Sequence, residues 1–281
     1  MINFDDKRFM VTGASSGIGR ATAILLSKLG AKVVACGRNE QRLDETLTQC
    51  DGADHIKLAF DVRDIASYKN VFGRATADGR KLDGLVYCAG IATPTPLRVM
   101  SEETIREVLD VNLIAFMMMV ATYAKKPFNN GGSIVAISSL SAHYPDKCMS
   151  AYTASKAALE SVTQTLALEL VDKNIRVNCI VAGSVRTEMT STVLPSTLDF
   201  VKRQTLLGML EPEDIADSIA FLLSDASRRI TGRSMYVDGG YLGQMFVAPA
   251  RDGRGVGSQV IRLMAALNLL AMLSIGGVRH E

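Results

Sequence analysis

Lys156 follows Tyr152 by one helical turn, and Ser139 precedes it by thirteen positions; no other of the seven tyrosines has a lysine at i+4. A free phenol titrates near about 10, too high for efficient proton transfer at neutral pH. A lysine at i+4 lies on the same helix face, and its ammonium is expected to favour the phenolate and lower that value. Tyr152 could then protonate a carbonyl oxygen during reduction or take a proton from an alcohol during oxidation. Ser139 could hold and polarise the same oxygen through its hydroxyl. A Tyr–Lys pair on its own is ordinary surface packing, so this chemistry depends on the elements that would bring the three residues together.

Those elements can be read from hydrophobic pattern. Strands are expected at 8–11, 31–36, 55–60, 84–88, 133–137, 176–181 and 234–237, several as continuous apolar runs. Such runs suit parallel strands covered on both faces. Helical patterns fall between them at 18–29, 40–49, 65–76, 102–124, 152–170 and 212–223. Ser101 and the Glu211-Pro212-Glu213 run look like helix starts, and Gly30 looks like a helix end. The β-α-β-α order predicts an α/β, doubly wound Rossmann-type fold, a mostly seven-stranded parallel sheet with helices on both faces. Ser139 then falls just past the 133–137 strand, at the carboxyl edge where such sheets bind ligands.

The first strand runs into VTGASSGIGRA, with Gly13, Gly17 and Gly19 between strand and helix. Glycines there permit a tight turn and a close approach to a pyrophosphate, and the helix N-terminus offers free N–H groups. After the second strand comes Arg38, with no acid until Glu40. An acid at that point would suit the ribose hydroxyls of NAD(H); Arg38 suits the 2′-phosphate of NADP(H). NADP(H) is therefore the expected cofactor, with NAD(H) left open. Asp61-Val62, after the third strand, could meet the adenine or merely start the next turn.

Composition narrows the class. The chain has 281 residues, 48% hydrophobic, with a net charge of +2 and no basic block, so nucleic acid is not an expected partner. Three isolated histidines show no metal-ligand spacing, so no metal is expected. Five cysteines without a CxxC read as free thiols in a reducing cytoplasm, and MINFDDKRFMV carries no apolar leader segment.

Taken in order, these residues resemble the classical short-chain dehydrogenase/reductase family, from Arg8 to about Gly243. TGASSGIG matches its TGxxxGxG motif, which implies cofactor contacts from Gly13, Ser15, Ser16, Gly17, Ile18 and Gly19. Asp61-Val62 matches its adenine pair. The resemblance also implies catalytic roles for Asn112, Ser139, Tyr152 and Lys156, with Asn112 anchoring a water that links Lys156 to solvent. Lys156 would also hold the nicotinamide ribose. Gly183, Val185 and Thr187 would lie beside the nicotinamide. Two departures stand out: the usual Asn-Asn-Ala-Gly is Tyr87-Cys88-Ala89-Gly90, and the usual Pro-Gly is Ala182-Gly183. The first is expected to lose side-chain hydrogen bonds in that turn while keeping the small Ala89-Gly90.

The resemblance implies an NADP(H)-dependent reductase of a ketone, such as a 3-oxoacyl group on acyl carrier protein or coenzyme A. Lys125, Lys126 and Lys173 offer one docking surface for an acidic carrier. A sugar or polyol dehydrogenase running oxidatively stays open, as does a non-catalytic dinucleotide-binding module. The apolar 102–124 and 152–170 helices, with relatives pairing them, imply a homodimer or homotetramer. His143 and Tyr144 read as a substrate-facing loop, and the segment from Glu188 to about Leu210 as a lid. The expected domains are a catalytic one over 1–245 and an extension over 246–281. In that extension RDGRGVGS faintly resembles an acetyltransferase phosphate loop, in a segment too short to complete that fold. The apolar 259–275 stretch reads first as a docked helix and second as a peripheral membrane contact.

Overall fold

A computed structural model describes residues 2–191 and 205–241. The expectations for the tail, and for the middle of the lid segment, lie outside those residues. Contacts divide the chain into Met1–Tyr241 and Leu242–Glu281.

Seven strands form one sheet: β1 (Arg8–Thr12), β2 (Lys32–Gly37), β3 (Ile56–Ala59), β4 (Leu82–Tyr87), β5 (Asn129–Ser139), β6 (Ile175–Ala182) and β7 (Ser234–Val237). Their order is β3-β2-β1-β4-β5-β6-β7, and every pairing is parallel. Hence every strand ends at the same edge, and the chain reverses its direction of travel across the sheet between β1 and β4. A crevice opens at such a reversal.

The helices among the described residues are α1 (Gly17–Lys28), α2 (Glu40–Leu47), α3 (Tyr68–Ala75), α4 (Glu102–Leu109), α5 (Ala115–Tyr123), α6 (Ser150–Leu170), α7 (Glu188–Ser191) and α8 (Pro212–Leu223). Alternate residues of β1 feed two cores. Met10 joins Tyr68, Phe72, Phe116 and Leu159 on one face, while Phe9 and Val11 join Leu26, Ile215 and Ile219 on the other. Each such fully buried side chain contributes about 1.5–3 kcal/mol of transfer free energy, which is why the strands carry unbroken apolar runs. The caps follow local chemistry. Ser101 accepts from the Thr104 N–H, Glu211 and Asp214 form a capping box, and Ala31 and Gly30 donate back to Leu26 and Ser27 to close α1.

The expected single helix over 102–124 is interrupted. Asp110–Ile114 forms a wide π turn between α4 and α5. The hydrophobic period does not reveal it, because one inserted residue shifts the pattern without erasing it. β5 is also longer than expected, since the polar Asn129–Gly132 stretch pairs with β4 and β6 through its backbone. Ser139 therefore closes the strand instead of following it.

Candidate active site

The site begins where β1 ends. Gly13 turns with φ +66°, and a Cβ there would sit 3.0 Å from the Cys88 and Ala89 backbone. A Cβ on Gly19 would sit 2.3 Å from the Gly13 carbonyl, so α1 can start against the turn only without one. The Thr12 hydroxyl accepts from the N–H groups of both Cys88 and Ala89, at 3.1 Å each. It joins the glycine turn to the turn after β4. Ser16 precedes α1 in extended conformation and makes no side-chain cap, so first-turn N–H groups stay available.

A cleft of about 270 Å³ opens beside this turn. Gly13, Ser15, Ser16, Gly17, Ile18 and Gly19 line it, as do Arg38, Asp61, Val62, Ala89, Gly90, Tyr152, Lys156 and Thr187. Gly183 and Val185 do not line it. Gly183 donates to Val237, and the Val185 side chain is buried in the core. An uncapped helix start, a glycine wall too close for side chains and a cationic end together fit a dinucleotide.

At the other end stand the acid–base residues. Tyr152 is half-buried in the first turn of α6. Lys156 is 5% exposed, and its Nζ donates to the Ile137 carbonyl at 2.7 Å. An ammonium has three donors; among the described residues this is the one acceptor found for it, and the rest of the group faces the cleft. Burial pulls Lys156 down to about 8, with the thiols of Cys88 and Cys179 acting the other way. Burial also pushes the Tyr152 phenol up, opposed by hydrogen bonding with the Ser139 side chain. The sequence reading expected the ammonium to lower the phenol. Instead the lysine is drawn to a backbone carbonyl, and Ser139 exerts the lowering pull. Ser139 Oγ also accepts from the Ser141 N–H at 3.2 Å.

Asn112 sits fully buried on the π turn. Its amide accepts from the Ile91 N–H at 2.9 Å and donates to the Ile91 carbonyl at 3.0 Å and to Ser155 Oγ at 2.9 Å. The open side of Gly90 faces both Asn112 Oδ1 and Lys156 Nζ, 3.4 and 3.5 Å from where a Cβ would stand. Asn112 thus backs the lysine from behind the cleft wall.

At the cationic end, the Asp61 carboxylate is forked by Arg63, at 2.7 and 3.1 Å. Arg63 and then the charge of Arg38 help hold that carboxyl below its ordinary range, against burial. Arg38 itself is exposed at the cleft. Arg42 on α2 pairs with Glu188 on α7, linking this end to the segment after Thr187.

His143 and Tyr144 take no part in the cleft. His143 Nε2 lies 3.1 Å from both oxygens of buried Glu160 and 3.0 Å from the Tyr236 hydroxyl. Tyr144 packs on Tyr241. Ser138 turns away from Ser139 and donates to Glu160 at 2.7 Å. Three contributions were not expected from the sequence: those of Ser155, of Arg63, and of Thr12 in bridging the two turns. Thr12 opens the TGxxxGxG motif, but nothing in it tells that its hydroxyl joins the turn after β4. The other two are placed only by the folded backbone.

Comparison with known proteins places this geometry among relatives. A family model described as Enoyl-(Acyl carrier protein) reductase matches residues 13–242. The chain is 34% identical over 244 residues to a 3-oxoacyl-(acyl-carrier-protein) reductase of Rickettsia conorii, covering 86% of this chain and 99% of that protein. It is also 34% identical over 236 residues to a 2,5-dichloro-2,5-cyclohexadiene-1,4-diol dehydrogenase of Sphingobium indicum, covering 83% and 94%. Among solved structures, a short-chain dehydrogenase/reductase of the glucose/ribitol dehydrogenase type from Brucella melitensis superposes with a TM-score of 0.81. That pair is 30% identical, and the match covers 85% of this chain and 98% of that one.

Proposed function

The chain belongs to the short-chain dehydrogenase/reductase family, oxidoreductases that act on CH–OH and C=O groups with NAD(P), and on that premise we propose that it reduces a ketone with NADP(H). The observation that carries the reductive direction is Arg38, exposed at the cleft where no acid stands to bind the ribose hydroxyls, because a 2′-phosphate cofactor is the one cells hold reduced to drive reductions. Tyr152, beside Ser139 at the other end, is the proton donor to the carbonyl oxygen.

The roles follow from the placement of each group. The nicotinamide, when bound, supplies the hydride. Ser139 donates to the substrate oxygen and stabilises the negative charge that develops there. Tyr152 delivers the proton to that oxygen. Lys156, with free donors toward the cleft, orients the ribose and replaces the proton on Tyr152. Asn112 keeps a path open behind Lys156. Gly13 to Gly19 receive the pyrophosphate on the α1 N-terminus, and Thr187, which lines the cleft, borders the nicotinamide, with Gly183 and Val185 behind it. Arg38 receives the 2′-phosphate.

A 3-oxoacyl thioester is the leading substrate class, in line with the Rickettsia relative. Lys125, Lys126 and Lys173 do not favour carrier docking beside the site. They precede β5 and β6, and the seven regular steps from Gly132 to Ser139 put them more than about 20 Å from Ser139, at the opposite sheet edge. A second reading, oxidation of a cyclic diol, is favoured by the equal identity to the Sphingobium protein. A homo-oligomer is part of the proposal. Ile114, Met117 and Met118 stay 38–40% exposed beside the α5 core face, as a partner surface requires. Among the described residues no helix is long and apolar enough to cross a membrane, and none of the five cysteines is bridged. We place the enzyme in the reducing cytoplasm on the latter ground.

The test is cofactor oxidation by the full chain against 3-oxoacyl thioesters, keto-sugars and cyclic ketones, with NADPH and NADH, using Tyr152→Phe as control. Turnover with NADPH that vanishes in the variant supports the reading. Turnover only in the oxidative direction favours the diol reading. Cofactor binding with no turnover in either direction points to a binding module.

A further inference from the structure

Tyr87 occupies a position where the family usually has asparagine, and its side chain makes its hydrogen bond outside that turn. Its side chain is 2% exposed, with the ring against Phe116 at 5.4 Å between centroids. Its hydroxyl donates to the carbonyl of Val111. Phenylalanine would fill the same volume, so the hydroxyl is the part that needs a reason. Burial holds that phenol well above its ordinary value, so it remains a donor at every working pH.

Val111 is the residue before Asn112, inside the π turn. A widened turn disrupts the regular i to i−4 ladder, and its carbonyls are open to outside donors. Two buried tyrosines stand beside this one. Tyr68 lies 3.4 Å from the Ala115 carbonyl at its far end, and Tyr87 binds Val111 at its start. Tyr87 is also the last residue of β4, and four residues on the same segment grips Asn112 through both backbone groups of Ile91. One stretch of chain therefore holds Asn112 from two sides.

We propose that Tyr87 is a positioning residue, whose hydroxyl bond to the Val111 carbonyl sets the π turn and so the placement of the Asn112 amide behind Lys156. The inference rests on the proposed role of Asn112 in the proton path. Tyr87 touches neither cofactor nor substrate; it acts through Asn112.

The test is a double-mutant cycle in the full-length enzyme with Tyr87→Phe, Asn112→Ala and the pair. Tyr87→Phe is expected to lower kcat about tenfold, the effect of one hydrogen bond. It should leave KM for both substrates near wild type and raise the solvent deuterium isotope effect on kcat, because proton delivery becomes slower. The double variant should be no slower than Asn112→Ala. Phe116→Leu is the control for lost packing, since it loosens the same contact yet should leave the isotope effect unchanged. Additive losses, an unmoved isotope effect, or wild-type kcat in Tyr87→Phe each overturn the inference while Asn112→Ala remains impaired. An unimpaired Asn112→Ala overturns the underlying site reading instead, and this inference with it. If Tyr87→Phe does not fold, 3-fluorotyrosine at position 87 carries the test. It keeps the ring and makes the hydroxyl a stronger donor, so an unchanged kcat and isotope effect refute the assignment.

Discussion

The ammonium of Lys156 lies over the face of the Tyr152 ring, 5.6 Å from its centre, and its hydrogen bond among the described residues goes to the Ile137 carbonyl. The two residues that define the site therefore share no direct hydrogen bond, and each is tuned by burial first. In the proposed mechanism a proton passing between them travels through groups bound in the cleft.

Replacing Tyr152 by Phe should lower kcat by about 10²–10⁴-fold, the usual contribution of a positioned acid. The dissociation constant for the cofactor should stay near wild type, because the ring and Lys156 remain. Stopped-flow turnover and fluorescence titration of the nucleotide would check the two halves separately. Comparable loss in both would mean that Tyr152 serves binding and not proton transfer.

The depressed Lys156 value, about 8 against an ordinary 10.5, predicts a descending alkaline limb. The free enzyme loses the ammonium as pH rises through about 8, and kcat/KM reports the free enzyme. A kcat/KM profile that stays flat to pH 10 would contradict this.

The same shift carries a stability consequence of definite sign. Below about 8 the folded protein bears the cost of a buried ammonium. Between 8 and 10.5 the unfolded chain holds the proton while the folded protein releases it, so stability rises with pH. Lys156→Met removes that dependence. Its stability relative to wild type should fall by an amount on the order of 3 kcal/mol between pH 7 and pH 10.5. Paired urea denaturation curves at the two pH values measure it.

Arg38→Ala should raise KM for NADPH about tenfold or more, the worth of a charge-assisted hydrogen bond, and leave KM for NADH nearly unchanged. Equal effects on both cofactors would show that Arg38 reads something other than the 2′-phosphate.

Asp78 forks the buried Arg8, at 2.8 and 2.5 Å. That contact holds its carboxyl far below the ordinary carboxylate range. A depressed acid stabilises the fold above its unfolded value, and the gain is lost as pH falls toward the folded one. Asp78→Asn should therefore be less stable than wild type at pH 7, with the gap closing toward pH 2. A gap that does not change with pH in thermal melts would argue against the pair.

Much of this architecture was legible because burial on two faces leaves a direct mark. The continuous runs at β1, β2 and β6 are what burial on both faces produces, and the glycines at 13 and 19 stand where only a bare backbone fits. Asn112 and Ser139 were located by resemblance, since neither lies in a pattern that periodicity detects. The π turn was invisible because i+4 and i+5 spacing bury nearly the same residues. The direction of Lys156 was equally hidden, because it is chosen by the Ile137 carbonyl of a different strand, nineteen residues away. For the same reason the sequence suggested a phenol tuned by charge, where burial and Ser139 set its value.

The bond from Thr12 to the two N–H groups after β4 has a mechanical meaning. It welds the glycine turn and the Ala89-Gly90 turn into a single block, with no hinge between the two walls of the cleft. At the rim of that cleft the Arg42–Glu188 pair joins α2 to α7. It is ionic and open to solvent, so it weakens as salt rises, and this join, unlike the block behind it, is one whose tightness ionic strength can set.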